Sequence, residues 1–543
     1  MREVDRLTTE KYHIPSIQLM ENAAHAVARV VTEKLGGSVE GRRILIVCGK
    51  GNNGGDGAAL ARVLYSQGAS CFVYLVGAAA ETNGDARTNF EALRALSESP
   101  NSNSPNKNCL IINEIDIKNC QSFSNDWQNE PGNILVDALF GTGLARPLQG
   151  PFARIAETIA SAQKERIFEK VIAIDLPSGL DADCEMTIGP HACADVTVTF
   201  TASKAANILP PSSVFNGELV IANIGSPQEL VNEQPSQLFL TEKKDAVQWL
   251  RRTEFTSSSY KNKRGHVLII AGSESYSGAA VMAGNAAIRS GVGLVTLCVP
   301  ASVKGEAASR SLPEIIVRPI NESKKSVAVN AFAELTDTIK LADGIAVGCG
   351  LSAADTGVEK LVRQIVENRT APVIIDAGAL MFYSPANQTL YEATQRQRDN
   401  NAPPLILTPH EGEFMRLLGT DDKTAIRDRV AAVRDFSTTH NLILVLKGER
   451  VLIGEPGGKV IVNPTGNSGL GKAGNGDTLT GILAGFVAQA VKFKIDIFET
   501  VVAAVYVAGM AGDAAEKKYG KRVMTASDVR ECLVDVFNDL DAE

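Results

Sequence analysis

ILIVCGKGNNGGDGAALARVL, residues 44–64, decides the fold of the first part of the chain. Ile44 to Cys48 is a continuous apolar run, the pattern of a parallel strand covered on both faces. A turn rich in glycine and asparagine follows from Gly49 to Gly57. Ala58, Leu60, Val63 and Leu64 then share one face of a helix that runs to Gly68. Strand, glycine-rich turn and helix in this order open a β-α-β unit. The pattern repeats outward: CFVYLVG begins at Cys71, NILVD ends at Asp137, VIAID ends at Asp175, and DVTVTF begins at Asp195. The expected architecture is α/β, a doubly wound and mainly parallel sheet. Two polar stretches, Ser97–Asn108 and Gln121–Gly132, read as surface loops.

From Gly225 to Gln237 the sequence GSPQELVNEQPSQ loses its periodicity, and a second series of strands begins after Lys261. It comprises VLIIAG from Val267, GIAVGCG ending at Gly350, PVIIDAG ending at Gly378, LILTPH ending at His410 and LILVLKG ending at Gly448. VLIGEPGGKVIV from Val451 reads as a hairpin with Glu455–Gly458 as its turn. Two doubly wound domains are therefore expected, residues 1–230 and 231–543. The 543 residues agree with more than one domain, at roughly 100–200 residues each.

The composition, 44% hydrophobic and 21% charged, is that of a globular protein. A net charge of −8 argues against a general polyanion binder. Nine cysteines without a CxxC pair suggest neither a disulfide framework nor a thiolate zinc site, and fit a reducing cytoplasm. The first residues, MREVDRLTTEKYHIP, mix charges of both signs and do not read as a targeting peptide. The apolar stretch Val501–Gly512 is too short for a bilayer span of about 20 residues. Neither nucleic acid nor membrane is expected as a partner.

Gly49, Gly51 and Gly54 match the dinucleotide fingerprint, but the second strand ends in Gly77 with no acidic residue to hold a ribose. That disfavours an ordinary dehydrogenase. No Lys-Ser/Thr pair closes the loop as in a Walker motif. Two more strands end in similar loops, VDALFGTGLARPLQG at Val136–Gly150 and DLPSGLDAD at Asp175–Asp183. Strand ends of a parallel sheet share one edge, so the three loops should converge. Asn53, Asp137 and Ser178 could then offer oxygens to a cation, and the amides of Gly141–Gly143 could take phosphate. Taken singly, an acid at a strand tip can equally cap a helix. Asp181 and Asp183 read as turn acids, because the later ligands of a calcium loop are missing.

In the second part, NPTGNSGLGKAGNGDTLTGILAG spans Asn463 to Gly485. Glycines lead into a helix with Asp477 at its start. The amides of Ala473–Gly476 would form an anion hole, and Asp477 could take the proton of an acceptor hydroxyl in phosphoryl transfer. The alternative is that Asp477 caps the helix.

GNNGGDG, VDALFGTGL, DLPSGLDAD and TFTASKAAN together resemble the NAD(P)H-hydrate epimerase domain, which many bacteria carry fused to an ADP-dependent NAD(P)H-hydrate dehydratase. The resemblance covers nearly the whole chain. It implies that Asn52, Asn53, Gly54, Gly55 and Asp56 bind the hydrated nucleotide together with Gly141, Thr142, Gly143, Leu144, Ala145, Arg146 and Pro147. It also implies that Asn53, Asp137 and Ser178 hold potassium (K+) and that Asp175 lies beside the nicotinamide C6 carbon. Lys204 would be an acid/base partner, where a surface role is the alternative.

NPTGNSGLGKAGNGD is similar to the GxGD motif of ribokinase-like folds. KRGHVLIIAGS, YSGAAVMAG, SGVGLVT, LTPHEGEF and LVLKGE are similar to the dehydratase branch. On that likeness the first domain is Rossmann-like and the second ribokinase-like. Ala279, Gly350, His410 and Asp477 would line the hydrate site; Lys447, Gly448, Glu449, Arg450, Val451 and Gly476 would meet ADP, with Mg2+ accompanying the nucleotide. His410 could instead cap the helix that follows it.

The implied function is repair: epimerisation of R to S hydrate, then ADP-dependent dehydration of S. The expected partners are NADHX, NADPHX and ADP, in a homo-oligomer. A small-molecule kinase is the first competitor, on the strength of the Asp477 loop alone. A nucleotide sensor is the second, and would be expected to lack an acid such as Asp175 or Asp477.

Overall fold

The computed structural model describes residues 1–98, 108–115, 132–323, 326–327, 330–386, 390–395 and 402–542. Most of Ser97–Asn108 and of Gln121–Gly132, the two stretches read as loops, lies outside the described residues. The chain divides into two compact units, Met1–Ser236 and Gln237–Glu543.

Among the described residues the first unit is built on seven strands: β1 Arg43–Cys48, β2 Ser70–Val76, β3 Leu110–Ile115, β4 Ile134–Ala138, β5 Lys170–Ile174, β6 Val196–Phe200 and β7 Glu218–Ala222. Their order is β3-β2-β1-β4-β5-β6-β7, parallel throughout. The unbroken apolar run of β1 has a direct cause in its two covered faces. Ile44 and Ile46 join the core beneath the helices Ser16–Lys34 and Asn52–Ser66, while Leu45 and Val47 join the opposite core with Ile155 and Ile159 of the helix Gly150–Lys164. Each such side chain contributes about 1.5–3 kcal/mol by leaving water. The winding reverses between β1 and β4, which opens a crevice at the carboxyl ends of these strands.

Among the described residues the second unit carries a ten-stranded sheet: β8 Leu238–Leu240, β9 His266–Ile270, β10 Leu294–Pro300, β11 Ile316–Ile320, β14 Gly344–Val347, β15 Val373–Ile375, β16 Leu405–Leu407, β17 Ile443–Leu446, β18 Val451–Gly454 and β19 Val460–Asn463, with β12 Glu322–Ser323 and β13 Ser326–Val327 as a separate small pair. The order β11-β10-β9-β14-β15-β16-β17 is parallel, and β18 and β19 form the antiparallel hairpin anticipated from Val451. β8, which the sequence pattern did not single out, pairs with β19 at the edge.

The helix Asn475–Phe493 packs on the helix Ser277–Arg289 so closely that a β-carbon at Gly481 would stand 2.2 Å from the Ala283 carbonyl oxygen. The apolar stretch at Val501 corrects one expectation. It lies in a helix of 23 residues, Ile497–Tyr519, which among the described residues is long and apolar enough to cross a membrane. Its length alone therefore does not set it apart from a membrane span. Its apolarity has a different origin, since Val501, Ala504, Val507, Ala511 and Ala515 are wholly buried in the core.

Candidate active sites

In the first unit the loops after β1, β4, β5 and β6 meet in a cleft of about 440 Å³, lined by Asn52, Asn53, Asp56, Gly141, Thr142, Gly143, Asp175 and Lys204 among others. Asp175 follows β5 with φ 68, a left-handed conformation that a non-glycine residue adopts at a cost. Its backbone N–H still donates to the Val198 carbonyl at 2.8 Å, so the strand geometry and the turn together aim the carboxylate into the cleft. Lys204 Nζ donates to Asp175 Oδ1 at 2.6 Å, to Thr199 Oγ1 at 2.8 Å and to the Phe200 carbonyl at 3.0 Å. The Thr142 N–H donates to Asp175 Oδ2 at 3.3 Å. The Lys204 and Asp175 side chains are 5% and 11% exposed, which corrects the reading of Lys204 as a surface group. Asn207 fixes the turn by accepting from the Lys204 N–H at 2.8 Å.

The helix after β1 starts at Asn52, with Gly51 at its cap, so Asn52–Asp56 form its first turn; the Gly55 N–H is taken by the Gly51 carbonyl at 3.0 Å, and the amides before it lie at the open end of the helix. Gly54 has a packing reason: a β-carbon there would stand 1.8 Å from the Gly49 carbonyl oxygen. At Gly141 a β-carbon would stand 2.9 Å from Asn53 Oδ1 and 3.1 Å from Asp175 Oδ2, so this glycine keeps the floor of the cleft open. Burial, and then the charges of Asp175 and Asp5, push the Asp56 carboxyl well above the usual carboxylate range.

Asp137 is fully buried at the end of β4. It accepts from the Ser178 hydroxyl at 2.6 Å, the Ser178 N–H at 2.8 Å and the Leu139 N–H at 3.2 Å. Burial still raises its carboxyl above the ordinary value. Asn53 Nδ2 is buried with no hydrogen-bond partner among the described residues. Among the described residues no group of three His, Cys, Asp or Glu side chains is placed to hold a metal.

In the second unit Asp477 lies in the first turn of the helix Asn475–Phe493, which begins two residues before it. The cap is Gly474 with φ 90, so the reading of Asp477 as the helix cap is corrected. Asp376, at the tip of β15, is 1% exposed. It accepts from Lys447 Nζ at 2.9 Å and from Thr480 Oγ1 at 2.7 Å. Burial, and then Asp376, raise the Asp477 carboxyl above its ordinary value. Lys447 stands close to the glycine turn: its Nζ would be 3.5 Å from a β-carbon at Gly476. Gly350, with φ 70, abuts Ala279, whose Cβ would be 2.9 Å from one placed on the glycine.

Most of the anticipated residues converge in this way, and others stand apart. Leu144 packs on the core, and Ala145, Arg146 and Pro147 are exposed outside the residues that line the cleft. Gly55 packs against Ala86 and Met20. His410 caps the helix Glu411–Leu418, its Nδ1 accepting from the Glu413 N–H at 3.2 Å, while its ring stays largely exposed. Beside it, Arg429 donates to the Arg450 carbonyl at 2.9 Å and crowds Gly448.

Three contributions were missed. Asp376 had a signal, because it closes the strand PVIID as Asp137 and Asp175 close theirs. Cys349, 3.9 Å from Asp376, had none. Nor had the helix Arg2–Tyr12, whose Arg2 and Asp5 line the first cleft and whose Arg2 guanidinium donates to the Thr142 carbonyl at 3.1 Å.

Each of the two units also matches a family of known proteins. A family model described as YjeF-related protein N-terminus matches residues 16–206, and one described as NAD(P)H-hydrate dehydratase matches residues 267–534. The bifunctional NAD(P)H-hydrate repair enzyme Nnr of Moorella thermoacetica is 36% identical over 100% of this chain and 96% of its own length. The protein of the same name from Thermofilum pendens is 30% identical over 96% of this chain and 92% of its own. A solved structure, the ADP/ATP-dependent NAD(P)H-hydrate dehydratase of Bacillus subtilis co-crystallised with ATP and Mg2+, is 28% identical over 56% of this chain and 98% of its own, with a TM-score of 0.46. At full length and at this identity, the chain belongs to the family of bifunctional NAD(P)H-hydrate repair enzymes.

Proposed function

We propose that the Met1–Ser236 unit converts the R hydrate of NADH or NADPH to the S hydrate, and that the Gln237–Glu543 unit dehydrates the S hydrate at the expense of ADP. The observation that carries this reading is the presence, in one chain, of two separate carboxylate sites at parallel-sheet edges: the Asp175–Lys204 pair and Asp477 in its glycine turn.

In the first site the ring nitrogen's lone pair expels the C6 hydroxyl while the Lys204 ammonium supplies a proton, and water leaves. When water returns to the other face, the Asp175 carboxylate takes its proton, and transfer across the Asp175–Lys204 hydrogen bond restores both groups. No redox change occurs. The amides of Asn52–Gly54, Gly141 and Gly143 are suited to the diphosphate.

Asn53, Asp137 and Ser178 would hold potassium. One carboxylate, one amide and one hydroxyl form a hard oxygen set with a single negative charge, and among the described residues the buried Asp137 carboxyl accepts from Ser178 and Leu139 and from no cationic side chain. The ion would supply counter-charge near the nucleotide.

In the second site Asp477 would take the proton of the C6 hydroxyl as its oxygen attacks the β-phosphorus of ADP, and AMP leaves. The C6–O bond of the phosphate ester then breaks, pushed by the ring nitrogen, inorganic phosphate departs, and loss of the C5 proton to water restores the dihydropyridine. Gly476 and Lys447–Val451 are proposed to meet ADP, and Ala279, Gly350 and His410 the hydrate. Mg2+ would come with the nucleotide and neutralise its phosphates. The free cysteines fit a reducing cytoplasm.

Substitution tests the division. Asp477→Asn should abolish dehydration and leave epimerisation intact, and Asp175→Asn should do the reverse. Equal loss of both activities in either variant would overturn the two-site assignment.

A further inference from the structure

Asp376 draws together groups that are distant in the chain. Lys447 at the tip of β17 and Thr480 on the helix Asn475–Phe493 lie 71 and 104 residues away, and both donate to its carboxylate. Burial alone would raise Asp376, but the Lys447 ammonium and the hydroxyls of Thr480 and Thr408 outweigh it and hold the group below the ordinary value. It is therefore a charged, buried carboxylate. A tether serving only the fold would not need to end at the glycine turn. Lys447 does end there, beside Gly476, and its side chain keeps one-fifth of its surface exposed. Glu413 stands farther from the ammonium, at 4.0 Å.

Asp477 lies one helical turn before Thr480 on the same helix. The titratable groups acting on it are Asp376, Lys447 and Cys349. Asp376 makes Asp477 more basic than burial alone would, and Lys447 opposes that effect. Asp376 thus bears on both partners of a phosphoryl transfer, the cation that would meet the moving phosphoryl group and the base that would take the proton.

We infer that Asp376 is a positioning residue of the second site: its carboxylate holds the Lys447 ammonium at the Gly476 turn and sets the charge that faces Asp477. This rests on the dehydratase reading of the unit. The wild-type rate with S hydrate and ADP tests that reading by itself, and ratios between variants test this inference.

The experiment compares full-length wild type, Asp376→Asn, Lys447→Met and the double variant, with kcat and the KM for ADP measured across pH by the return of near-ultraviolet absorbance. Asp376→Asn is expected to lower kcat about 100-fold, the scale of losing a preorganised charge. The KM for ADP should move by no more than about threefold. The acid limb of kcat/KM should shift to lower pH by about one unit, because Asp477 loses a like-charged neighbour. The double variant should be no slower than Lys447→Met alone, because Asp376 acts through Lys447. Losses that multiply in the double variant, or an acid limb that stays in place, overturn the inference. Should Asp376→Asn fail to fold, Asp376→Glu carries the test. It keeps the charge and should keep the wild-type acid limb at a reduced kcat, and a displaced limb overturns the inference.

Discussion

Lys204→Met removes one half of a buried ion pair and leaves the other half in place. The side chains of Lys204 and Asp175 are 5% and 11% exposed, and their atoms are 2.6 Å apart, so solvent screens the pair little. Asp175 keeps the Thr199 hydroxyl at 3.2 Å and the Thr142 N–H at 3.3 Å, two modest donors for a full charge. Breaking such a pair from one side costs about 3–5 kcal/mol, because the remaining charge stays desolvated. With a urea dependence of about 2–3 kcal/mol per molar, the unfolding midpoint of this unit should fall by about 1–2.5 M. Hydrogen exchange of the β5 and β6 amides along a urea series reads that transition in the full chain. Asp175→Asn with Lys204→Met leaves two neutral groups and should recover about 2 kcal/mol of the loss, while both variants lack epimerase activity. A Lys204→Met protein within about 1 kcal/mol of wild type, or a double variant no more stable than the single one, would refute the reasoning.

Other predictions concern both units. Gly481→Ala drives a methyl group against the Ala283 carbonyl, 2.2 Å from the ideal β-carbon position, and should destabilise the second unit by about 1–3 kcal/mol in thermal unfolding; an unchanged melting temperature contradicts the close helix packing. Burial, and then Asp376, raise Asp477, so its proton-accepting form is lost as pH falls through a value above the ordinary range. Dehydration kcat/KM should therefore begin to fall at a pH above about 4, and a profile flat to that point would remove Asp477 as the base. Asn53→Ala should raise the potassium concentration for half-maximal epimerisation about tenfold or more, with dehydration unaffected. A rate independent of potassium would sink that ion's assignment.

The parts of the fold that were legible are those whose physics is local. β1, β4 and β5 sit between covered faces, so each reads as a continuous apolar run, and an acid at the end of such a run marks the sheet edge. From that alone Asp137 and Ser178 were expected to meet, and they are joined by a 2.6 Å hydrogen bond. What stayed hidden depends on long-range closure. The bond of Arg2 to Thr142 spans 140 residues, and no residue near Arg2 marks it as part of a cleft. The Lys447–Asp376 pair spans 71 residues and leaves no spacing to read. β8 is three residues long and shows no period. His410 combines two signals, since the same residue that precedes EGEF also completes a helix cap.

The most direct test of the account is recovery of near-ultraviolet absorbance from a mixture of R and S hydrates of NADH incubated with the full chain, Mg2+, potassium and ADP. Recovery is expected until both epimers are consumed, with AMP and phosphate formed in step. Recovery that stops when the S share is exhausted contradicts the role of the first site, and no recovery at all contradicts the role of the second.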